Sequence, residues 1–165
     1  MNLRSLLSVA ILVAAPLSAG EYDALAKTLR QTWPQCGTVA VVCDAIGSKA
    51  AVDAVTGAFS GMKVIVVDVK GPQDIGKAVS ALTSRKPDAV VLLPNDKVVS
   101  DGSSAASFLI QRMAAAKIPT VCTTEGGVRQ GAVFAVGPTT GGKVLANAKA
   151  AGVAGVSVPA NASAI

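Results

Sequence analysis

Apolar residues gather in five short, nearly continuous runs: TVAVVC (38–43), KVIVVDV (63–69), DAVVLLP (88–94), PTVCTT (119–124) and AVFAV (132–136). They are rich in β-branched residues and do not alternate with polar ones, as a strand with one wet face would. They therefore predict strands buried on both faces of a parallel sheet. Between the runs the period changes. Val52, Val55 and Phe59 follow the first run at i, i+3 and i+7, and Ile75, Val79 and Leu82 follow the second. Ala106, Leu109, Ile110 and Met113 follow the third, and Val144, Ala148 and Ala151 follow the fifth. Each set is a one-sided helical stripe that packs on a sheet.

The punctuation agrees with this division. Ser100 is placed to cap the third helix, with Asp101 adding negative charge to its first turn. Pro87 and Pro119 stand beyond the second and third helices, where the residue before a proline disfavours helix. Repeated β-α-β units require right-handed crossovers, which put helices on both sheet faces. The expected fold is a three-layer α/β/α sandwich. Its doubly wound, five-stranded parallel sheet has the flavodoxin-like order 2-1-3-4-5. This lobe spans residues 37–152. Residues 21–36 are expected to form an N-terminal helix and linker, and residues 153–165 a loosely held C-terminal extension.

The first twenty residues stand apart. Arg4 gives a positive start, Leu6 to Ala15 an apolar core and LSAG a small-residue cleavage site, the anatomy of a secretory signal peptide. That core is about ten residues, against the ~20 a membrane-spanning helix needs. The expected localisation is exported, with no membrane span after cleavage. Loss of the leader removes Arg4 and no acidic residue, so the formal charge of +5 drops by one. The remaining basic residues are scattered and aromatics are only 3% of the chain, which argues against a nucleic-acid partner. Three cysteines cannot all pair within one chain. Cys43 and Cys122, inside apolar runs, are expected to be buried free thiols. Cys36, beside Gly37, is the candidate for exposure and an intermolecular disulfide.

In an open parallel sheet, ligands meet the carboxyl ends of the strands and the free amides of helix N-termini. At that rim lie DAIGSK (44–49), Asn95, Asp96, Ser100, TTEGG (123–127) and GPTTGG (137–142). GPTTGGK matches the spacing of a phosphate-binding loop, but Val144 stands where a Ser or Thr would hold magnesium. The chain has no histidine, which removes Ser-His and Cys-His nucleophile pairs. Asp44, Asp96 and Glu125 are rim carboxylates whose better reading is polar contact, not acid–base catalysis. No enzyme activity, metal site or cofactor is expected.

The stretch from Pro87 to Ala150 resembles the C-terminal lobe of ABC-transporter substrate-binding proteins of the tryptophan/tyrosine-type group, which have the type I periplasmic-binding fold. The resemblance rests on Leu93-Pro94-Asn95-Asp96, Val98-Val99-Ser100, Lys117-Ile118-Pro119-Thr120 and Glu125-Gly126-Gly127, then Val128 to Ala132 and Phe134 to Gly137. GTVAVVCDAIGSKAAVDAV (37–55) resembles the same lobe's first β-α unit. The resemblance implies a periplasmic protein that captures a small solute, such as an amino acid or organic anion. It implies Asp44, Ser48, Asn95, Asp96, Thr124 and Glu125 as ligand-binding residues, the hydroxyls and loop amides receiving a carboxylate and the acidic groups an ammonium. It also implies an ABC permease as partner. Family members have two lobes, so the second jaw must come from a homodimer or a partner protein. The alternative is a one-lobed relative that has lost ligand capture and acts as an interaction or scaffold module.

Overall fold

The computed structural model describes residues 20–165. All of the expected leader except Gly20 lies outside these residues. The element order is α1 (Asp23–Thr32), β1 (Thr38–Cys43), α2 (Lys49–Ala58), β2 (Lys63–Asp68), α3 (Ile75–Arg85), β3 (Ala89–Val91) and α4 (Ser104–Ala115). It continues with β4 (Thr120–Cys122), α5 (Glu125–Gln130), β5 (Phe134–Ala135), β6 (Leu145–Ala146), α6 (Ala148–Ala154) and β7 (Ser163–Ala164). The sheet order is β2-β1-β3-β4-β5-β6-β7. The first five strands are parallel in the expected order 2-1-3-4-5, and two short strands extend that sheet.

Two buried clusters explain the continuous apolar runs. Val39, Val41 and Cys43 of β1 point to one face, where they join Leu25 and Leu29 of α1, Val55 of α2 and Ala151 of α6. Ala40 and Val42 point to the other, with Leu82 of α3, Leu109 and Met113 of α4 and Val128 of α5. Both faces of the strand are therefore dry, and no position needs to be polar. Burial on each face stabilises the fold by about 1.5–3 kcal/mol per large side chain.

Four expectations change at the margins. The KVIVVD run is not buried on both faces: β2 is the sheet edge, Val64, Ile65 and Val67 are half-buried, and Val66 is 36% exposed. The cap of α4 is Ser103, whose Oγ accepts from the Ala106 amide at 3.1 Å, not Ser100. A turn intervenes, in which the Ser103 amide donates to the Ser100 carbonyl and Gly102 adopts φ +83°. Only glycine takes that conformation without strain. The stripe starting at Val144 is not one helix. Leu145 and Ala146 pair antiparallel with β5, and α6 starts only after Asn147, whose side chain accepts from the Ala150 amide.

The fourth change concerns the C-terminal residues, which are not loosely held. Trp33 donates its indole N–H to the Ser157 carbonyl at 3.0 Å and meets Phe134 edge-on with centroids 5.2 Å apart. The Ser163 and Ile165 amides then donate to Val144 and Ala146, adding β7 to the sheet.

All three cysteines are free and buried, Cys36 included, so the candidate for an intermolecular bridge lacks an accessible thiol. Burial pushes the Cys36 thiol up to about 11, and Cys43 and Cys122 to about 12. At pH 7.5 the thiolate of Cys36 is then roughly 1 in 3,000, and reactivity follows the thiolate. Native protein is expected to resist N-ethylmaleimide at all three positions over minutes at pH 7.5, and to take up three labels in urea. Rapid labelling of Cys36 in the native state, read by intact mass, would contradict its burial.

Candidate functional site

The carboxyl ends of β1, β2 and β3 converge on a set of carboxylates tied to one another's loops. Asp96 is buried and accepts four hydrogen bonds. Its Oδ2 receives the Asp44 amide at 2.9 Å and the Ser48 hydroxyl at 2.6 Å. Its Oδ1 receives the Val98 and Val99 amides, both at 2.8 Å. The loop after β3 folds back on Asp96, and the loop after β1 is fastened to the same side chain. An aspartate suits this loop because backbone donors with no ladder partner need a strong acceptor.

Asp44 is also buried. Lys70 Nζ stands 2.7 Å from its Oδ1, and Lys97 Nζ 2.6 Å from its Oδ2. Hydrogen bonds from Lys70 and Lys97, in that order, hold its carboxyl well below the usual carboxylate range. Lys70 also reaches Asp68 at 2.9 Å, and Asp68 receives the Ala45 amide at 2.9 Å, which lowers its pKa too. Gly47 passes close above: a Cβ there would come 2.6 Å from Asp44 Oδ2, so the approach requires glycine.

Beside this network lies a hollow of about 200 Å³. Its walls are the start of α2 (Gly47, Ser48, Ala50, Ala51), the segment Leu93 to Asp96, and Glu21 with Tyr22 from the head of α1. Ser48 occupies the N-cap position of α2 but gives no side-chain cap; its hydroxyl donates to Asp96. The Ala50 and Ala51 amides find no acceptor among the described residues. Ala50 and Ala51 line the hollow, and the free amides at a helix N-terminus suit an anion. Tyr22 is only 1% exposed, and burial first, then Glu21 and Asp101, pushes its phenol up.

Of the residues expected from the sequence, Ser48, Asn95 and Asp96 line the hollow and Asp44 lies beneath it. Thr124 and Glu125 do not line it. Thr124 caps α5, accepting from the Gly127 amide at 3.2 Å and donating to Asp101. Burial raises the Asp101 carboxyl, whose Oδ1 has no partner among the described residues. Glu125 is exposed and receives Arg129 Nε at 2.8 Å. Glu21, Tyr22, Lys70 and Lys97 carried no signal in the sequence, because their place at the site depends on how α1 and the β2 and β3 loops dock. Among the described residues, no group of three or more side chains is arranged to hold a metal, and no helix is long and apolar enough to cross a membrane.

No family model and no curated protein matches the sequence. Solved structures do match the fold. One is a conserved domain protein from Vibrio cholerae O1 biovar El Tor, with TM-score 0.69 and 17% identity over 88% of this chain and 60% of that one. Another is a ligand-free, open substrate-binding protein with adhesive properties from Clostridium difficile, with TM-score 0.69 and 19% identity over 84% and 57%. A third is an ABC domain in complex with L-Trp from Streptococcus pneumoniae, with TM-score 0.68 and 18% identity over 86% and 59%. The likeness is one of fold. This chain shares the fold of ABC-type substrate-binding proteins, the family its sequence resembles, and spans less than two thirds of these structures.

Two outcomes test the roles in this network. Asp96→Ala leaves four donors without their acceptor and is expected to cost about 3–5 kcal/mol in urea unfolding. Glu125→Ala removes one exposed i, i+4 pair, with an effect of about 0.5 kcal/mol or less. Comparable losses for the two would refute the structural assignment of Asp96. For Asp44 the folded pKa lies below the unfolded value near ~4. Its stabilisation is therefore present above that value and fades as pH falls toward the folded pKa. Asp44→Asn should be less stable than wild type at pH 7, with the gap narrowing at pH 3. A gap independent of pH would exclude the ion pairs as its source.

Proposed function

We propose that the chain is an exported, periplasmic solute-binding domain of an ABC-type uptake system, and that the hollow at the head of α2 receives the carboxylate of a small organic solute. The observation that carries this reading is the pair of free Ala50 and Ala51 amides beside Ser48 in an otherwise mostly apolar recess. Ser48 and Asn95 contact the solute, while Asp44 and Asp96 hold the loops that shape the recess. Thr124 and Glu125 border the neighbouring strand end, where a second lobe would close. The fold shared with substrate-binding proteins supports the assignment, as does the binding of L-Trp by one of the solved relatives. A lone lobe encloses only half of a ligand, whereas a mature site buries most of its surface. The opposing jaw is a second copy or a partner protein, and an ABC permease receives the solute. The reading involves no covalent chemistry and no cofactor.

A second reading, an interaction or scaffold module without solute capture, draws on the exposed apolar side chains Ile46 (82%) at the rim and Phe108 (40%) on α4. Native mass spectrometry of the full chain with small carboxylates separates the two. Solute capture predicts a stoichiometric adduct that is lost at least tenfold in Ala50→Asp. That variant places a carboxylate on the free amides, where it favours the helix and excludes an incoming anion. A bare chain, or an adduct indifferent to Ala50→Asp, would sink the carboxylate site and leave the interaction module.

A further inference from the structure

We propose that the free edge of β2 pairs antiparallel with β2 of a second copy of this chain, joining two sheets side by side. The pairing does not depend on the solute-binding reading. The Lys63 and Val69 amides donate to the Gly37 and Cys43 carbonyls at 2.9 Å, on the β1 side. Alternation along the strand then turns the amides and carbonyls of Val64, Val66 and Asp68 outward. None of these amides has an acceptor among the described residues. Natural sheet edges are blunted by a proline, a bulge, a central charge or brevity. β2 carries none of these. Its six residues keep continuous register with β1 from Lys63 to Asp68, contain no proline, and place charge only at the two ends. Val66, at the middle, is an exposed apolar side chain. The opposite edge, β7, is by contrast only two residues long.

The edge is complementary to itself. An antiparallel pair sets outward residues against outward residues. A register centred on Val66 matches all of them: Val66 faces the partner's Val66, and Val64 and Asp68 face the partner's Asp68 and Val64. About six backbone hydrogen bonds form. On the other face of the ribbon Ile65 meets the partner's Val67. The neighbouring registers are spoiled. They set Asp68 against the partner's Met62, or Val64 against the partner's Lys70, and those amides already serve the Phe59 carbonyl and Asp74. Charge selects the same arrangement. Lys63 is exposed and takes part in no ion pair among the described residues, and the Ala45 and Lys70 contacts to Asp68 both use Oδ1. Each end of the ribbon therefore joins one Lys63 to the end that carries the partner's Asp68. Like charges stand ~14–20 Å apart along the strands, beyond the ~8–10 Å screening length. The two side chains leave opposite faces, so their attraction steers strand direction and is not a bridge. The two-fold axis stands perpendicular to the sheet, so the carboxyl ends of the two sheets point in opposite directions. Both hollows stay open, and a jaw for either would come from a partner protein.

The test is sedimentation equilibrium on the purified chain, with amide exchange read residue by residue by NMR. An edge contact is small, so dimer is expected to build up near about 100 µM. As it does, the Val64, Val66 and Asp68 amides should gain protection. Val66→Pro removes one outward N–H and no bond to β1, and Val66→Lys sets like charges across the axis. Each is expected to weaken association at least tenfold, with a circular-dichroism spectrum and thermal midpoint close to wild type. A chain that stays monomeric to about 0.5 mM overturns the proposal. So does a dimer whose outward β2 amides stay unprotected, or one indifferent to Val66→Lys. Should Val66→Pro unfold, Val66→Lys decides, since its side chain replaces one that is already exposed.

Discussion

One carboxylate, Asp96, organises the functional end of this molecule. It gathers two amides from its own loop, one amide from the loop after β1, and the hydroxyl of Ser48 at the head of α2. Charge-assisted bonds of this kind are roughly twice as strong as neutral ones. Concentrated in a buried position, they lock two crossover loops in a single arrangement. The free amides of α2, the close pass of Gly47 over Asp44 and the floor of the hollow all follow from that lock. Ser48 shows how tightly the parts depend on one another. It donates to Asp96 and makes no cap bond to its own helix, so the first amides of α2 stay free.

A second layer of constraint is electrostatic. Asp44, Asp68, Lys70 and Lys97 come from three different strand ends and balance one another's charge where the sheet meets water. Both lysines are themselves partly exposed, so solvent screens the pairs and their value lies in holding loop geometry. Most acidic groups near the rim thus act within the scaffold. Around the hollow, free polar groups among the described residues are Asn95 and Glu21, beside the first amides of α2. The solved proteins that share the fold are about half as long again.

The sequence by itself determined the architecture. Unbroken Val-rich runs separated by one-sided helical stripes fix a doubly wound sheet, because a strand buried on both faces leaves no polar positions and a helix on such a sheet needs one apolar face. The order of the five parallel strands followed, and so did the gathering of Asp44, Ser48, Asn95 and Asp96 at one rim. What the sequence missed depended on long-range partners. Nothing within KVIVVD says that it has a neighbour on one side only. Nothing near Leu145 says that it will turn back antiparallel onto Phe134. Ser100 and Ser103 are equally good local caps, and the turn at Gly102 chose between them. The tertiary structure alone decided that Asp96 is a fastener inside the fold, that Asp44 is neutralised by two lysines, and that Glu21 arrives at the rim on a helix that looked like an appendage. Periodicity is a local property, legible residue by residue. The pairing of a carboxylate with an amide about fifty residues away exists only once the chain has closed on itself.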